Sequence, residues 1–271
     1  MAEWVSLAEA IAAHVRDGDS VAMEGFTHLI PFAAGHEIIR QGRRDLSLIR
    51  MTPDLIYDQL IGAGCAKKLT FSWGGNPGVG SLHRFRDAVE NGWPRPLQIE
   101  ERSHSDMANA YVAGAANLPF AMLRGYTGSD FLRVNEKIRS ITCPFTGEVL
   151  AATPAVRPDV TVIHAQKADG KGNVLLWGIL GVQKEAALAA TRVVVTVEEL
   201  LLRFGSGVLL LTEAVSLIWV PLPTLALTVA VTVKVSEWPL GKIAIVSLTW
   251  LAVLLRLKTS EPAWLCATNV S

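Results

Sequence analysis

The chain has 271 residues and half of them are hydrophobic, so it can bury a sizeable core in one large domain or two small ones. Lysine plus arginine and aspartate plus glutamate both number 25, and a net charge of zero gives no long-range field to gather nucleic acid or anionic lipid. The three cysteines are scattered without a CxxC pair, which disfavours a disulfide framework or a zinc site. We expect a cytoplasmic protein, because the N-terminus lacks the pattern of a secretory signal.

Short apolar segments alternate with helical patterns from the start of the chain, which is typical of βαβ units. Ser6 and Glu9 form a capping-box pattern for the first helix. Thr52 is the predicted N-cap of a helix that has Pro53 in its first turn and runs to about residue 62. Ser105 and Asp106 are the predicted caps of a later helix. The other elements predicted in this half are strands at 21–26, 46–51, 69–73 and 97–102 and helices at 31–41 and 82–90.

Past Pro119 the pattern is less regular, with turn signals before the next strands. The elements predicted there are strands at 149–153, 159–166 and 193–197, a loop at 167–173 and a helix at 183–191. Residues 1–200 are therefore predicted to form one three-layer α/β/α domain with a largely parallel sheet.

The last 71 residues differ in character, since they contain eight charged residues and neither aspartate nor histidine. Residues 214–233 carry no charge and are long enough to span a bilayer, but Pro221 and Pro223 would break a helix there. We expect no membrane association, although a membrane-tethered tail is an alternative. Residues 201–271 are thus predicted to be an atypical apolar tail of uncertain structure.

Three loops follow predicted strands, where ligands bind in α/β sheets. The first has a glycine that allows close approach of a ligand and side chains that can donate hydrogen bonds. A plain strand exit with Thr27 as a helix cap explains it equally well. Its candidate ligand-binding residues are Gly25, Phe26, Thr27 and His28.

The second loop has four glycines in seven residues between a strand and a helix, an arrangement that can present successive backbone N–H groups to an anion. It matches neither the Walker sequence nor the dinucleotide GxGxxG, so ATP and NAD are disfavoured. The alternative is a flexible turn. Its candidate residues are Gly74, Gly75, Asn76, Gly78, Val79, Gly80 and Ser81.

The third loop, 100–105, groups ionisable side chains at a strand end and a helix start, where they could orient a polar acyl group or transfer protons. Helix capping is the competing explanation. The candidate binding residues are Glu101, Ser103 and His104. No catalytic residue is assigned: Glu90, followed by Asn91 and Gly92, is predicted to end a helix rather than act as a nucleophile, and neither GxSxG nor HExxH occurs.

Several long strings resemble the A-type chains of family I CoA-transferases over residues 1 to about 200. These strings are GFTHLIP, RMTPDLIYDQLIGAG, SWGGNPGVGSLHRFRDAVE, SHSDMANAYVAGAANLPF, CPFTGE and RPDVTVIHAQKADGKGN. The resemblance implies transfer of CoA from succinyl-CoA to a 3-oxoacid such as 3-oxoadipate in aromatic-compound catabolism. It also implies a hetero-oligomer in which the nucleophilic glutamate, which forms a glutamyl-CoA thioester, belongs to a B-type subunit.

On this reading the CoA thioester is a substrate, no cofactor is permanently bound, and the three loops form one wall of a shared site. The tail departs from the family, which suggests an altered reading frame from about residue 200. Two other functions stay open. One is that of a subunit in an acyl-CoA hydrolase, and the other is that of a non-catalytic module that binds acyl-CoA or a sugar phosphate.

Overall fold

A computed structural model describes residues 2–26, 28–76, 80–126 and 128–197, and the backbone of four strands within the last 71 residues. The helices are α1 (Leu7–His14), α2 (Phe32–Arg40), α3 (Leu55–Gly62), α4 (His83–Glu90), α5 (His104–Ala115), α6 (Phe131–Val134) and α7 (Gln183–Ala189). The strands before residue 198 are β1 (Ala2–Val5), β2 (Ser20–Ala22), β3 (Leu46–Ile49), β4 (Ala66–Phe71), β5 (Gln98–Glu101), β6 (Phe120–Leu123), β7 (Arg139–Thr142), β8 (Val149–Pro154), β9 (Val160–Ala165), β10 (Lys167–Ala168), β11 (Val174–Leu175) and β12 (Arg192–Val197).

Six parallel strands form the centre of the molecule in the order β12-β9-β2-β3-β4-β5. Their carboxyl ends lie along one edge of the sheet, because parallel strands all run the same way. The predicted largely parallel α/β sheet is therefore confirmed. Loops that follow β2, β3 and β4 share this edge, which is where a ligand site is expected.

Helices cover both faces of the six parallel strands, as parallel strands in a sheet require. Successive residues of a strand point to opposite faces, so Val21 joins a core with α1 to α4, whereas Ala22 joins a second core with α5 and α7. Three layers result. Burial of nearly continuous apolar runs such as Val193–Val195 explains why these strands lack polar alternation.

The starts of α1, α3 and α5 are set by side chains that accept from exposed backbone N–H groups. The predicted capping box is present, with Glu9 N–H donating to Ser6 Oγ over 3.3 Å and Ser6 N–H donating to Glu9 Oε2 over 2.9 Å. The predicted Thr52 cap is wrong, because Asp54 caps α3 by accepting from Ile56 N–H over 3.3 Å. Gly75 N–H donates to Pro53 O over 3.1 Å, which ties the residues before Asp54 to a neighbouring loop.

The predicted cap of the fifth helix is also wrong, by two residues. Ser103 Oγ accepts from Asp106 N–H over 3.1 Å, and α5 begins at His104. The carboxylate of Asp106 does not cap the helix but accepts from the hydroxyls of Tyr126 and Thr153 in a buried cluster.

Residues 120–154 depart from the predicted parallel arrangement. The strand expected at 149–153 is present as β8, but it pairs antiparallel with β6 and β7 in a separate three-stranded sheet. A small apolar cluster that includes Leu123, Tyr126 and Ile138 packs against this sheet. The predicted loop at 167–173 is two residues too long at its start, because β10 occupies residues 167–168 and pairs antiparallel with β11 just after the loop.

Four strands are described in the tail, namely β13 (Ala214–Trp219), β14 (Ala230–Trp238), β15 (Gly241–Trp250) and β16 (Val253–Lys258). β13 pairs antiparallel with β12 and β1, and the other three form an antiparallel meander. The α/β alternation stops there, as the composition indicates. Across the described residues, no helix combines the length and apolar character needed to cross a membrane.

Candidate functional site

A cavity of about 220 Å³ opens at the carboxyl ends of β2 and β3. Residues from four segments line it: the exit of β2, the exit of β3, the start of α5 and the loop before α7. They are Glu24, Gly25, Phe26, Met51, Thr52, His104, Ile179, Gly181 and Val182. The cavity therefore brings together parts of the first and third predicted loops, at the edge where ligands bind in this class of fold.

Gly25 is required by a close backbone contact in this wall. A Cβ added there would lie 2.4 Å from the carbonyl oxygen of Leu29 and 2.8 Å from its carbonyl carbon. These are backbone atoms, and the same Leu29 oxygen accepts a hydrogen bond from Gln183 Nε2 over 3.1 Å. The contact brings the β2 exit against the start of α7 and so shapes the cavity.

Glu24 is the buried carboxyl group of the cavity, with 3% of its surface exposed. Its Oε1 accepts from the hydroxyl of Tyr111 over 2.9 Å and from the N–H of Met51 over 3.1 Å. Burial raises the pKa of Glu24, and the nearby positive charge of Arg50 and these hydrogen bonds oppose that rise only in part.

Arg50 is buried at the end of β3, and its positive charge acts on the carboxyl groups of Glu24 and Asp54. It donates to Asp54 at 3.2 Å and its Nη2 lies 3.0 Å from the other Asp54 oxygen, so the direct ion pair is with Asp54. Its Nη2 also donates to Gly25 O over 2.8 Å, which anchors the cavity wall. Tyr57 packs against the same guanidinium, and burial raises the pKa of its hydroxyl.

His28 connects two loops and is not among the residues that line the cavity. Its ring nitrogens lie 3.1 Å from Phe26 O and 3.3 Å from Trp177 O. It therefore holds the β2 exit against the segment that leads to Gly181. Thr27, the fourth predicted residue of this loop, lies outside the described residues.

The glycine-rich loop is beside the cavity but does not line it. Asn76 and Gly80 exchange backbone hydrogen bonds of 3.0 and 3.1 Å, and Gly75 N–H donates to Pro53 O. Three of the N–H groups expected to bind an anion are thus occupied within the chain. The backbone N–H groups of Gly74 and Ser81 make no backbone hydrogen bond within the described residues. Residues 77–79, which include Gly78 and Val79, lie outside the described residues. Anion binding by this loop therefore stays a prediction.

The three candidate residues of the third loop have different positions and contacts. His104 is exposed and lines the cavity. Ser103 caps α5, and its N–H donates to Tyr126 Oη over 2.7 Å. Glu101 is exposed and away from the cavity, and its backbone oxygen accepts from Asn135. Binding of substrate by Ser103 and Glu101 is a prediction that this placement does not favour.

Sequence reasoning missed several residues of the cavity. Met51 and Thr52 follow β3, so their position at a strand end could have identified them. Glu24 follows β2 by two residues, but burial cannot be read from a single charged residue in a sequence. Ile179, Gly181 and Val182 reach the cavity only through the fold, and no pattern in the chain marks them.

Glu90 is the last residue of α4 and pairs with Arg86 over 2.8 Å on the surface, with Asn91 as C-cap, as predicted. Within the described residues, no group of three histidine, cysteine, aspartate or glutamate side chains could hold a metal ion. The cavity thus offers one buried acid, one exposed imidazole and the Thr52 hydroxyl among apolar walls.

Residues 5–210 match the model of the coenzyme A transferase family. The chain therefore belongs to that family.

Among known proteins, the chain is 74% identical over 200 residues to the A-type subunit of 3-oxoadipate CoA-transferase from Pseudomonas knackmussii, a match over 74% of this chain and 71% of the relative. It is 33% identical over 219 residues to the A-type subunit of glutaconate CoA-transferase from Acidaminococcus fermentans, over 74% of this chain and 68% of the relative. The crystal structure of glutaconate coenzyme A-transferase from that organism superimposes with a TM-score of 0.68 at 33% identity, over 72% of this chain and 66% of that one. An A-type CoA-transferase chain of the 3-oxoadipate kind is the description these likenesses support.

Proposed function

We propose that this chain is the A-type half of an enzyme that moves CoA from succinyl-CoA to 3-oxoadipate. The observation that carries the proposal is the 74% identity to the A-type subunit of a 3-oxoadipate CoA-transferase, together with a cavity at the carboxyl edge of the sheet. The cavity is mostly apolar and has a few polar groups, as expected of a small-molecule site.

The nucleophile belongs to a B-type partner chain in this proposal. Glu90 is a surface helix residue, and Glu24 is a buried carboxyl group whose raised pKa disfavours the charged, attacking form. A carboxylate of the partner would attack the thioester carbonyl, and CoA thiolate would leave. The thiolate would then add to the partner's glutamyl carbonyl, which releases succinate and leaves a glutamyl-CoA thioester. The same steps in reverse order load the 3-oxoacid.

Exposed apolar side chains near the cavity support a partner. Phe26, Trp73, Trp177 and Ile179 are 39%, 48%, 48% and 55% exposed. Aromatic side chains are enriched in protein interfaces, and a covered site excludes the water that would hydrolyse a thioester. The partner would thus complete the site and protect its intermediate.

The test is co-expression of this chain with a B-type subunit, followed by measurement of succinyl-CoA-dependent formation of 3-oxoadipyl-CoA. We expect exchange only when both chains are present, and no release of free CoA without an acceptor acid. Release of CoA without acceptor would identify a hydrolase instead. Full exchange by the isolated chain would contradict the need for a partner.

The proposed intermediate has its own test. The assembled enzyme is treated with succinyl-CoA, denatured and digested, and the peptides are analysed by mass spectrometry. The CoA adduct is expected on a glutamate of the partner chain. An adduct on this chain would overturn the assignment.

An altered reading frame from about residue 200 also stays a proposal. Its support is the change of composition and the family match, which ends at residue 210. Sequencing of the coding DNA from independent clones tests it. An uninterrupted frame in every clone would contradict it.

A further inference from the structure

Glu24 is a buried carboxyl group that belongs to the cavity yet has no role in the steps described above. It is 3% exposed and shares the cavity with the apolar side chains of Phe26, Met51 and Ile179. A buried acid is costly unless its oxygens are bonded or it stays neutral. Its placement in the wall of a mostly apolar cavity therefore makes it a candidate for binding.

The two oxygens of Glu24 differ in their surroundings. Oε1 accepts both hydrogen bonds, from Tyr111 and from Met51 N–H. Within the described residues, Oε2 takes part in no hydrogen bond, and it is not among the buried polar atoms without a partner. Oε2 is thus the oxygen left for the cavity.

The charges around Glu24 favour its neutral form. Arg50, whose positive charge acts on Glu24, forms its direct ion pair with Asp54, so two carboxyl groups share one guanidinium. Burial raises the pKa of Glu24 beyond what Arg50 offsets. Because Oε1 already accepts from two donors, the proton of the neutral acid is placed on Oε2, where it points to the cavity.

We propose that Glu24 donates a hydrogen bond from Oε2 to the second carboxylate of a dicarboxylic 3-oxoacid, and so selects that substrate class. The inference rests on the CoA-transferase function proposed above. The reacting carboxylate must reach the partner chain, so the far end of the acid enters the cavity. Apolar walls accept its methylene groups, and an anion there needs donors, which Glu24 and the His104 imidazole can supply.

A pair of matched probes tests this selection. 3-Oxoadipate and 3-oxohexanoate have the same six carbons and the same oxo group, but only the first has a second carboxylate. The ratio of their kcat/KM values as CoA acceptors is measured for the full chain together with its B-type partner. In Glu24→Met the preference for 3-oxoadipate is expected to fall about 10- to 100-fold, the effect of losing one hydrogen bond to a charged group.

Glu24→Gln is the conservative variant. Its amide oxygen can accept from Tyr111 and Met51, and its NH₂ group can donate to the substrate, so the preference is expected to persist. Glu37→Gln is the matched control, because Glu37 is another buried glutamate, 4% exposed, that pairs with Arg40 and Gln41 away from the cavity. It should leave the substrate ratio unchanged.

The pH profile of the ratio is the second readout. The wild-type preference should decrease as the pH rises through the pKa of Glu24, since the ionised acid repels a carboxylate, whereas the preference of Glu24→Gln should not follow this decrease. The titratable and charged groups packed around Glu24 are Arg50 at the end of β3, Asp54 and Tyr57 at the start of α3, and His104 and Tyr111 of α5.

The outcomes separate the two proposals. If the wild-type assembly exchanges CoA with neither acid, both the CoA-transferase proposal and this inference are refuted. If the wild-type assembly exchanges CoA but does not prefer 3-oxoadipate, only the proposed role of Glu24 is refuted. If Glu24→Met lowers kcat/KM equally for both acids, the role of Glu24 is purely structural, and its proposed role in substrate selection is refuted. If Glu24→Met does not fold, Glu24→Gln provides the test. The proposed role of Glu24 is refuted if Glu24→Gln loses the preference for 3-oxoadipate, or if its preference depends on pH as that of the wild type does.

Discussion

Replacement of Gly25 by alanine tests whether the backbone contact at the exit of β2 shapes the cavity. The new Cβ would lie 2.4 Å from Leu29 O, and this oxygen cannot move freely because Gln183 Nε2 donates to it. Overpacking of this kind costs about 1–3 kcal/mol, and loss of the buried hydrogen bond adds roughly 1 kcal/mol. We expect a loss of about 2–4 kcal/mol in the free energy of unfolding.

For a domain of this size that loss corresponds to a decrease in Tm of roughly 4–16 °C. The assay is thermal unfolding followed by circular dichroism, with CoA exchange measured on the assembled enzyme. Exchange should fall as well, because Leu29 and Gln183 lie behind the cavity wall. Gly170→Ala is the control, since its added Cβ would have only an ordinary contact of 3.5 Å with Trp4. A Gly25→Ala variant as stable and as active as this control would refute the reasoning.

Three further predictions concern the supports of the site. Ser103→Ala should destabilise the protein by about 1 kcal/mol through loss of the α5 cap, whereas Ser105→Ala should be nearly neutral; equal effects in urea unfolding would contradict the cap assignment. Asp106→Ala should cost about 2–4 kcal/mol, because the buried hydroxyls of Tyr126 and Thr153 would lose their acceptor, and a change below about 1 kcal/mol would be inconsistent with that network. In the unfolded chain Glu24 has a pKa near 4.5, whereas in the folded protein its pKa is raised, so the folded protein keeps this proton at pH values where the unfolded chain has lost it. The free energy of unfolding therefore falls as the pH rises above 4.5. Glu24→Gln should therefore gain stability relative to wild type as the pH rises from about 4 to about 8, and a constant difference in Tm would argue against a raised pKa.

The helices and strands from α1 to α5, together with β9, α7 and β12, were predictable from the sequence, because periodicity and turn residues are local signals. The strand after α1, the Ser6 capping box and the end of α4 at Glu90 were all read from neighbouring residues. Two of the predicted helix caps were wrong. Both Thr52 and Ser105 are good cap residues, and tertiary bonds of Asp54 and Asp106 decided which residue begins each helix.

The candidate site was predictable only in part, because tertiary contacts decide which residues line it. Strand ends pointed to Gly25, Phe26 and His104, which do line one cavity. Local sequence cannot show which N–H groups are already occupied, so the glycine-rich loop looked more open than the bonds between Asn76 and Gly80 make it.

What the sequence determined by itself was the order of helices and strands from α1 to α5 and the edge of the sheet where a ligand is expected, since both follow from short-range patterns and strand direction. Only the tertiary structure decided that β8 belongs to a separate antiparallel sheet and that Ile179 reaches the cavity. It also decided that Glu24 is buried beside an arginine already paired with Asp54. Burial and charge pairing depend on residues far apart in the chain, and no local pattern records them.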